Sequence, residues 1–448
     1  MRLFGTDGIR GRVNTAPMTP ESVLRLGMAI ASVLRNDHGR NMVLIGKDTR
    51  LSGYMIESAL TSGLCAKGVN VTLVGPIPTP GVAFLTRTLR LDAGIVISAS
   101  HNPFYDNGIK IFSSDGYKIA DGLEKEIENL MADETFPKRR ATGEKIGKAF
   151  RLDDATGRYI EYVKSTIPRG EDLEGLKVVV DASNGAAYKS TPALLRELGA
   201  EVVCINDRPD GININQNCGS LHPELLMNLV KDKGFDVGVA HDGDADRTLL
   251  VDEKGRLVDG DVIMGICAVE FKRQGLLKGN AVVATTMSNL GLERYLNANG
   301  IELVRTRVGD RYVSEEMLKR GCNLGGEQSG HIIFSDFNTT GDGMITALQS
   351  LYIIKKTGKP LSALADRIGL YPQKLINVEV SGRSDFKSVP AIKKAIQEAE
   401  KALEGKGRIL VRASGTEPKI RVMVEAVDTE TVERWANRVA DVIRDAIG

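Results

Sequence analysis

Asp242, Asp244 and Asp246, at alternate positions in the run D-G-D-A-D-R, are the residues of this chain best suited to holding a hard divalent cation. In extended chain they project from one side, and a glycine-eased turn wraps the three carboxylates round one ion. A calcium-binding EF-hand loop competes, since Asp242, Asp244, Asp246 and Glu253 occupy positions 1, 3, 5 and 12 of its template. Two features weigh against it. Arg247 stands where that loop needs glycine, and the flanks VGVAHD and TLLVD have strand character where helices are required. A catalytic or phosphate-associated Mg²⁺ is the preferred reading, and an acidic turn that binds nothing is the third.

The nucleophile that such an ion would serve is Ser100. The apolar run Ala93 to Ala99, with Ile95, Val96 and Ile97 consecutive, predicts a parallel strand covered on both faces. Ser100 is the first hydroxyl group beyond that run, and His101, Asn102 and Pro103 follow. Pro103 lacks an N–H and biases Asn102 away from helix, so the chain turns with Ser100 at the strand's carboxyl end, where open α/β sheets bind ligands. Taken alone, the stretch is equally an ordinary strand-to-loop turn. A protease-type Ser-His pair is disfavoured, because adjacent side chains diverge in extended chain and no G-x-S-x-G elbow surrounds them. A serine that carries a phosphoryl group instead needs a metal or cationic groups to spread its charge.

Other polar loops supply them. Gly325 to His331 (GGEQSGH) sets Glu327, Gln328, Ser329 and His331 on a glycine-rich turn, a mixture of donors and acceptors suited to a polyhydroxylated ligand. Arg412 to Arg421 (RASGTEPKIR) combines two guanidinium groups with the hydroxyls of Ser414 and Thr416 and the accessible backbone of Gly415, the requirements of a phosphate monoester. Arg10 lies among three glycines in GTDGIRG, and Lys110 and His331 are the candidates for moving a proton. Each loop alone has a bland counterpart, a solvated or merely structural turn.

The elements that must position these groups repeat. A strand, a polar loop, a helix closed by glycine and a second strand recur at intervals of roughly 100 to 140 residues, beginning at Met42, Val178 and Ala281. Each copy is followed by a further strand ending in one of the polar loops: SASHNP, then HDGDADR, then GGEQSGH. Three such blocks side by side would aim the three loops into one cleft. The stretches Asp133 to Gly157, Asp252 to Asp261 and Gly369 to Gln373 read as breaks. Past the last, a strand, a helix, two strands and a helix predict a small unit of another kind. The fold expected is three similar α/β domains with mixed sheets (residues 1–152, 153–254 and 255–368), followed by a smaller α+β C-terminal domain (369–448).

Length and composition agree. A chain of 448 residues is long enough for about three domains or more, and 42% hydrophobic with 26% charged residues is ordinary for a globular protein. A net charge of +1 favours neither nucleic acid nor an anionic membrane. Five scattered cysteines without C-x-x-C spacing argue against a disulfide framework and a structural zinc. With no apolar signal core at the start and no apolar run of spanning length, the cytoplasm is the expected compartment.

Taken together, GTDGIRG, SASHNP, DGDADR, GGEQSGH and RASGTEP, in this order and rough spacing, resemble the motifs of the α-D-phosphohexomutase family over essentially the full length. The resemblance implies four domains, a phosphoryl group on Ser100, and one Mg²⁺ per chain held by Asp242, Asp244 and Asp246 beside Ser100. It implies sugar hydroxyls gripped by Glu327 and Ser329, and a substrate phosphate held by Arg412, Ser414, Gly415 and Thr416, with Arg421 close by. Arg10, Lys110, Arg247 and His331 match further active-site positions. Gln328 within GEQSGH is similar to the branch that acts on amino sugars. The implied reaction interconverts glucosamine 6-phosphate and glucosamine 1-phosphate through a 1,6-bisphosphate, supplying UDP-N-acetylglucosamine and cell-wall synthesis. The mannose and glucose branches share every motif except the sugar-loop wording, and a calcium-binding protein without activity would explain DGDADR alone. The partner expected is a small phosphosugar, with no nucleic acid and no membrane, and a homodimer is compatible with the sequence.

Overall fold

The computed structural model describes residues 3–5, 7–34, 40–136, 139–380, 386–413 and 419–447. The chain divides into two compact units, Met1–Met287 with Gly300–Asp366, and Ser288–Asn299 with Arg367–Gly448.

Three sheets build the first unit. The first runs, edge to edge, Ile9–Arg12, Asp106–Ser113, Ala93–Ile97, Met42–Lys47, Asn70–Pro76 and Ala149–Arg151. The second runs Leu257–Val258, Thr248–Asp252, Val237–His241, Lys177–Asp181 and Glu201–Ile205. The third runs Glu302–Thr306, Ala281–Thr285, Leu324–Gly326 and Ile332–Phe334. All are mixed in the same way. A leading strand (Met42–Lys47, Lys177–Asp181 or Ala281–Thr285) pairs in parallel with its two neighbours, and one of those neighbours turns back as an antiparallel hairpin.

The polar loops are the turns of those three hairpins. Ser98 to Tyr105 joins Ala93–Ile97 to Asp106–Ser113, Asp242 to Arg247 joins Val237–His241 to Thr248–Asp252, and Glu327 to His331 joins Leu324–Gly326 to Ile332–Phe334. Each hairpin's first strand is wholly buried, which is why it reads as a continuous apolar run rather than an alternating one. Helices Pro20–Leu34, Ser52–Ala66 and Asp121–Ala132 supply part of the core around the first sheet, with Met28, Ile30, Ile56 and Leu60 excluded from solvent.

The second unit is a three-stranded antiparallel sheet, in the order Gln373–Glu379, Lys419–Ala426 and Gly407–Ala413, with helices Pro390–Leu403 and Thr429–Ile447. Ile392, Val422, Val424, Trp435 and Val439 are among its core residues. Three similar α/β sheet domains and a smaller C-terminal α+β domain are thus the architecture of the chain.

Two local expectations need correction. Within the stretch read as the first break, Ala149–Arg151 is a strand paired in parallel with Asn70–Pro76, and a helix begins at Ala155. That strand is exposed at every position, so it carries no apolar signature. In the second stretch, Leu257–Val258 pairs back onto Thr248–Asp252, and Asp259 caps the helix Gly260–Arg273 by accepting from the Val262 amide. The third repeat is a strand, a helix and a parallel strand as expected, Ala281–Thr285, Leu290–Ala298 and Glu302–Thr306, and its helix falls in the second compact unit. Its first amide donates to Glu425 at 2.9 Å, and Asn289 exchanges hydrogen bonds with the Tyr371 backbone. Among the described residues no helix is long and apolar enough to cross a membrane.

Candidate active site

Ser100 follows the buried strand Ala93–Ile97 in a left-handed conformation, φ 55°. For a residue with a side chain this costs on the order of 1–3 kcal/mol, so the surroundings must impose it. They do so through Arg50. Its guanidinium, fully buried, donates to the carbonyls of Ser100 (2.9 Å), Asn102 (2.8 Å), Asp106 (3.1 Å) and Pro103, while Nε pairs with Asp48 Oδ2 at 2.8 Å. Asn215 Nδ2 adds a second donor to the Ser100 carbonyl at 2.9 Å. Ser98 Oγ accepts from the Ser100 amide and donates to Asp48. Sequence reasoning missed Asp48, Arg50 and Asn215. The signal for the first two was present, a K-D-T-R run directly after the first repeat's leading strand.

Held in this way, Ser100 Oγ donates to Asp242 Oδ2 at 2.6 Å, with His101 Nδ1 3.2 Å away. In the aspartate turn Ala245 is also left-handed, φ 52°, which curls the chain so that one oxygen from each of Asp242, Asp244 and Asp246 lies within 4.8 Å of the others. Thr79 Oγ1 donates to Asp244 at 2.7 Å, and Lys110 pairs with Asp244 (2.9 Å), Asp246 (3.0 Å) and Asp7 (3.2 Å). Burial, followed by repulsion from Asp246 and Asp244, pushes Asp242 up to about 8. Burial opposes ionisation of Asp246 too, but Lys110 and His331 outweigh it and hold that carboxyl well below the usual range.

The donor set fits a divalent cation. It is all oxygen, its three carboxyls are buried and crowd one another, and among the described residues Asp244 Oδ1 and Asp246 Oδ1 have no hydrogen-bond partner. It does not fit an EF-hand: strands flank the turn, and Glu253 accepts instead from the amide and hydroxyl of Ser362.

A closed circuit of ionisable groups surrounds the cluster. From Asp246 it passes to Lys110, to Asp7, to Lys118, to Asp310, to His331 and back to Asp246, and Arg10 joins at Asp7. His331 lies 3.6 Å from Asp246 through Nδ1 and 3.5 Å from Asp310 through Nε2. Burial disfavours its charge, yet these carboxylates raise its pKa overall. Lys110 likewise sits well above its ordinary value, because Asp244, Asp246 and Asp7 overcome its burial. Sequence reasoning singled out none of Asp7, Lys118 and Asp310, whose partners lie in distant parts of the chain.

In the third hairpin, Glu327 accepts from the Gly309 amide at 3.2 Å and is raised by burial. Ser329 Oγ is buried without a partner among the described residues, and Gln328 Nε2 is turned toward Asp259 at 3.2 Å. Arg247 follows Asp246, its amide bound to Asp242 Oδ1 and its guanidinium 3.9 Å from Asp246 Oδ1. Arg412 and Arg421 belong to the second unit, directly opposite each other in register on adjacent strands and both half-buried. Ser414, Gly415 and Thr416 lie outside the described residues.

Sequence profiles described as phosphoglucomutase/phosphomannomutase match the chain in four blocks: alpha/beta/alpha domain I over residues 1–138, domain II over 157–255, domain III over 259–371 and the C-terminal domain over 375–442. The phosphoglucosamine mutase of Thermodesulfovibrio yellowstonii is 57% identical over 438 residues, covering 97% of each chain. That of Citrifermentans bemidjiense is 54% identical over 447 residues, covering 100% of this chain and 98% of its own. A crystal structure of a phosphoglucomutase/phosphomannomutase family protein from Burkholderia thailandensis is similar with a TM-score of 0.82 at 26% identity, over 99% of this chain and 97% of that one.

Proposed function

Because the chain belongs to the phosphoglucomutase/phosphomannomutase family, we propose that it interconverts glucosamine 6-phosphate and glucosamine 1-phosphate in the cytoplasm, with Ser100 carrying the phosphoryl group. The observation that carries this reading is the 2.6 Å contact of Ser100 Oγ with Asp242, a hydroxyl against a three-carboxylate cluster, which supports a serine that carries phosphate. The preference for the amino sugar rests on the GEQSGH wording and on relatives that bear the name phosphoglucosamine mutase.

In the forward reaction the P–O bond to Ser100 Oγ breaks as the free hydroxyl of the sugar phosphate attacks phosphorus, giving a 1,6-bisphosphate and leaving the serine free. The bisphosphate then turns round. Ser100 Oγ attacks the other phosphorus, and the second sugar phosphate is released. Lys110 and His331 border the cluster and are the groups placed to exchange the hydroxyl's proton, while Arg10, Lys110 and Arg247 contribute positive charge where the phosphoryl group passes. Asp242, Asp244 and Asp246 would hold one Mg²⁺ together with the oxygen on Ser100; when bound, this ion offsets negative charge on the transferring group. Glu327 and Ser329 receive sugar hydroxyls, with Gln328 beside them. Arg412, Ser414, Gly415, Thr416 and Arg421 hold the phosphate that is not reacting. These assignments divide the chain into a phosphoserine domain (1–152), a metal domain (153–254), a sugar domain (255–368) and a phosphate domain (369–448).

Turnover of glucosamine, glucose and mannose 6-phosphates tests the reading. The amino sugar is expected to show the highest kcat/KM. A reversed order would remove the amino-sugar assignment and leave the mutase chemistry standing, and no turnover of any of the three would remove both.

A further inference from the structure

The segment Asn338 to Gly343 (NTTGDG) drew no notice as sequence, yet it reaches the aspartate turn, His331 and the chain next to Thr79. Asn338 Nδ2 donates to the Pro80 carbonyl (3.1 Å), next to Thr79, which itself binds Asp244. Thr339 Oγ1 donates to the Gly116 carbonyl at 2.5 Å. The Gly341 amide donates to His331 Nε2 at 3.1 Å. The Gly343 amide donates to the Ala245 carbonyl at 3.0 Å, and Thr248 Oγ1 returns a bond to the Gly343 carbonyl at 2.8 Å.

Two of these contacts admit only glycine. A Cβ on Gly341 would lie 2.4 Å from His331 Nε2, and one on Gly343 would lie 2.6 Å from the Arg247 carbonyl and 2.8 Å from that of Ala245. The first would strike the imidazole and the second the backbone of the aspartate turn itself. Gly343 also opens the buried helix Gly343–Thr357, whose start is fixed by Asp342. Asp342 Oδ1 accepts from the Ile345 amide (3.0 Å), while Oδ2 accepts from Tyr159 OH (2.7 Å) and Asn338 Nδ2 (2.8 Å). A carboxylate that is 1% exposed and has three donors holds one position.

We propose that Asp342, braced by Tyr159 and Asn338, is a positioning residue for the reaction, because it places the Gly343 amide that holds Ala245 and so sets the spacing of Asp242, Asp244 and Asp246. Alternate residues of a strand lie roughly 6–7 Å apart along the chain, too far to share one small ion. The left-handed Ala245 brings these carboxylates together, and the Gly343 amide is the donor that its carbonyl receives from the third sheet's block. Asp342 does not touch substrate or metal; it acts through Gly343 and Ala245.

The inference rests on the metal reading of the three aspartates, and its test separates the two. Mn²⁺ binding to full-length protein without substrate is measured by electron paramagnetic resonance and calorimetry for wild type, Asp342→Asn, Tyr159→Phe and Gln349→Leu. Asp342→Asn leaves the helix cap an oxygen but replaces the doubly bonded Oδ2 with a donor, and is expected to weaken Mn²⁺ roughly tenfold, the lower end of the range for groups that orient metal ligands. Tyr159→Phe removes one donor and is expected to weaken it measurably, by less than Asp342→Asn. Gln349, on the same helix, donates to the Thr166 carbonyl and hydroxyl at 3.0 Å each, so its loss softens the core without touching the turn. Its Mn²⁺ affinity is expected to stay at the wild-type value. Wild-type affinity in folded Tyr159→Phe overturns the positioning role even where Asp342→Asn fails to fold. An equal loss in Gln349→Leu reduces it to general softening and overturns it too. Wild-type protein that binds no Mn²⁺ overturns the metal reading itself.

Discussion

The Arg50 guanidinium, buried and fifty residues upstream in the chain, donates to the backbone carbonyl of Ser100 at 2.9 Å and so fixes that residue by its main chain. The same guanidinium is the partner of Asp48, so one side chain balances a buried carboxylate and ties the serine loop together.

Arg50→Met should therefore cost about 3–5 kcal/mol of stability, the usual penalty for leaving a buried charge without its partner. The deficit should depend on pH. Burial raises the Asp48 pKa even with Arg50 present, and removing Arg50 raises it further. The folded variant then keeps a proton that the unfolded chain gives up above about pH 4, so its stability falls as pH rises through the folded pKa of Asp48. Denaturant titrations at pH 5 and pH 7.5 should show the larger deficit at pH 7.5. Equal deficits at both would mean that Asp48 titrates alike in the folded and unfolded chains.

Ser100→Ala removes the group proposed to lend the phosphoryl. Ser100 Oγ makes its close contact to a side chain that keeps other neighbours, so the variant should fold while turnover disappears. Intact-protein mass spectrometry should show phosphate on wild type and none on the variant. Near wild-type activity in the variant would place the nucleophile elsewhere.

Removing metal should stop turnover and leave the fold intact. EDTA-treated enzyme should recover with Mg²⁺, and saturation at a hundred times the dissociation constant should stabilise the protein by about 2.7 kcal/mol, visible as a rise in Tm. Recovery with Ca²⁺ equal to that with Mg²⁺ would contradict a site tuned to a small octahedral ion.

Arg412→Ala should weaken use of the 6-phosphate and the 1-phosphate by comparable factors, since a bisphosphate that turns round presents each end to one phosphate site. Loss of one charge-assisted contact is worth roughly 1.5–3 kcal/mol, or about one to two orders of magnitude in KM. Steady-state kinetics in both directions measures it. A loss confined to one direction would mean two separate phosphate sites.

The sequence by itself determined where the polar loops interrupt the strands, because the signals are local. A buried strand is largely apolar, so the places where the apolar runs beginning at Ala93 and Val237 give way to polar residues are visible in the sequence itself. The repeat made the three hairpin turns comparable, and the flanking strands ruled against a calcium-binding helix pair. The tertiary structure alone decided which distant groups hold those loops in place. Arg50 and Ser100, Lys110 and Asp7, and Tyr159 and Asp342 meet across separations that no periodicity encodes, and Asn338 to Gly343 reads as an ordinary polar turn until its amides are seen to point at His331 and Ala245. The helix Leu290–Ala298 shows the same limit. Its amphipathic pattern specifies that one face is buried, but not against which partner, and its first amide donates to Glu425 of a C-terminal strand.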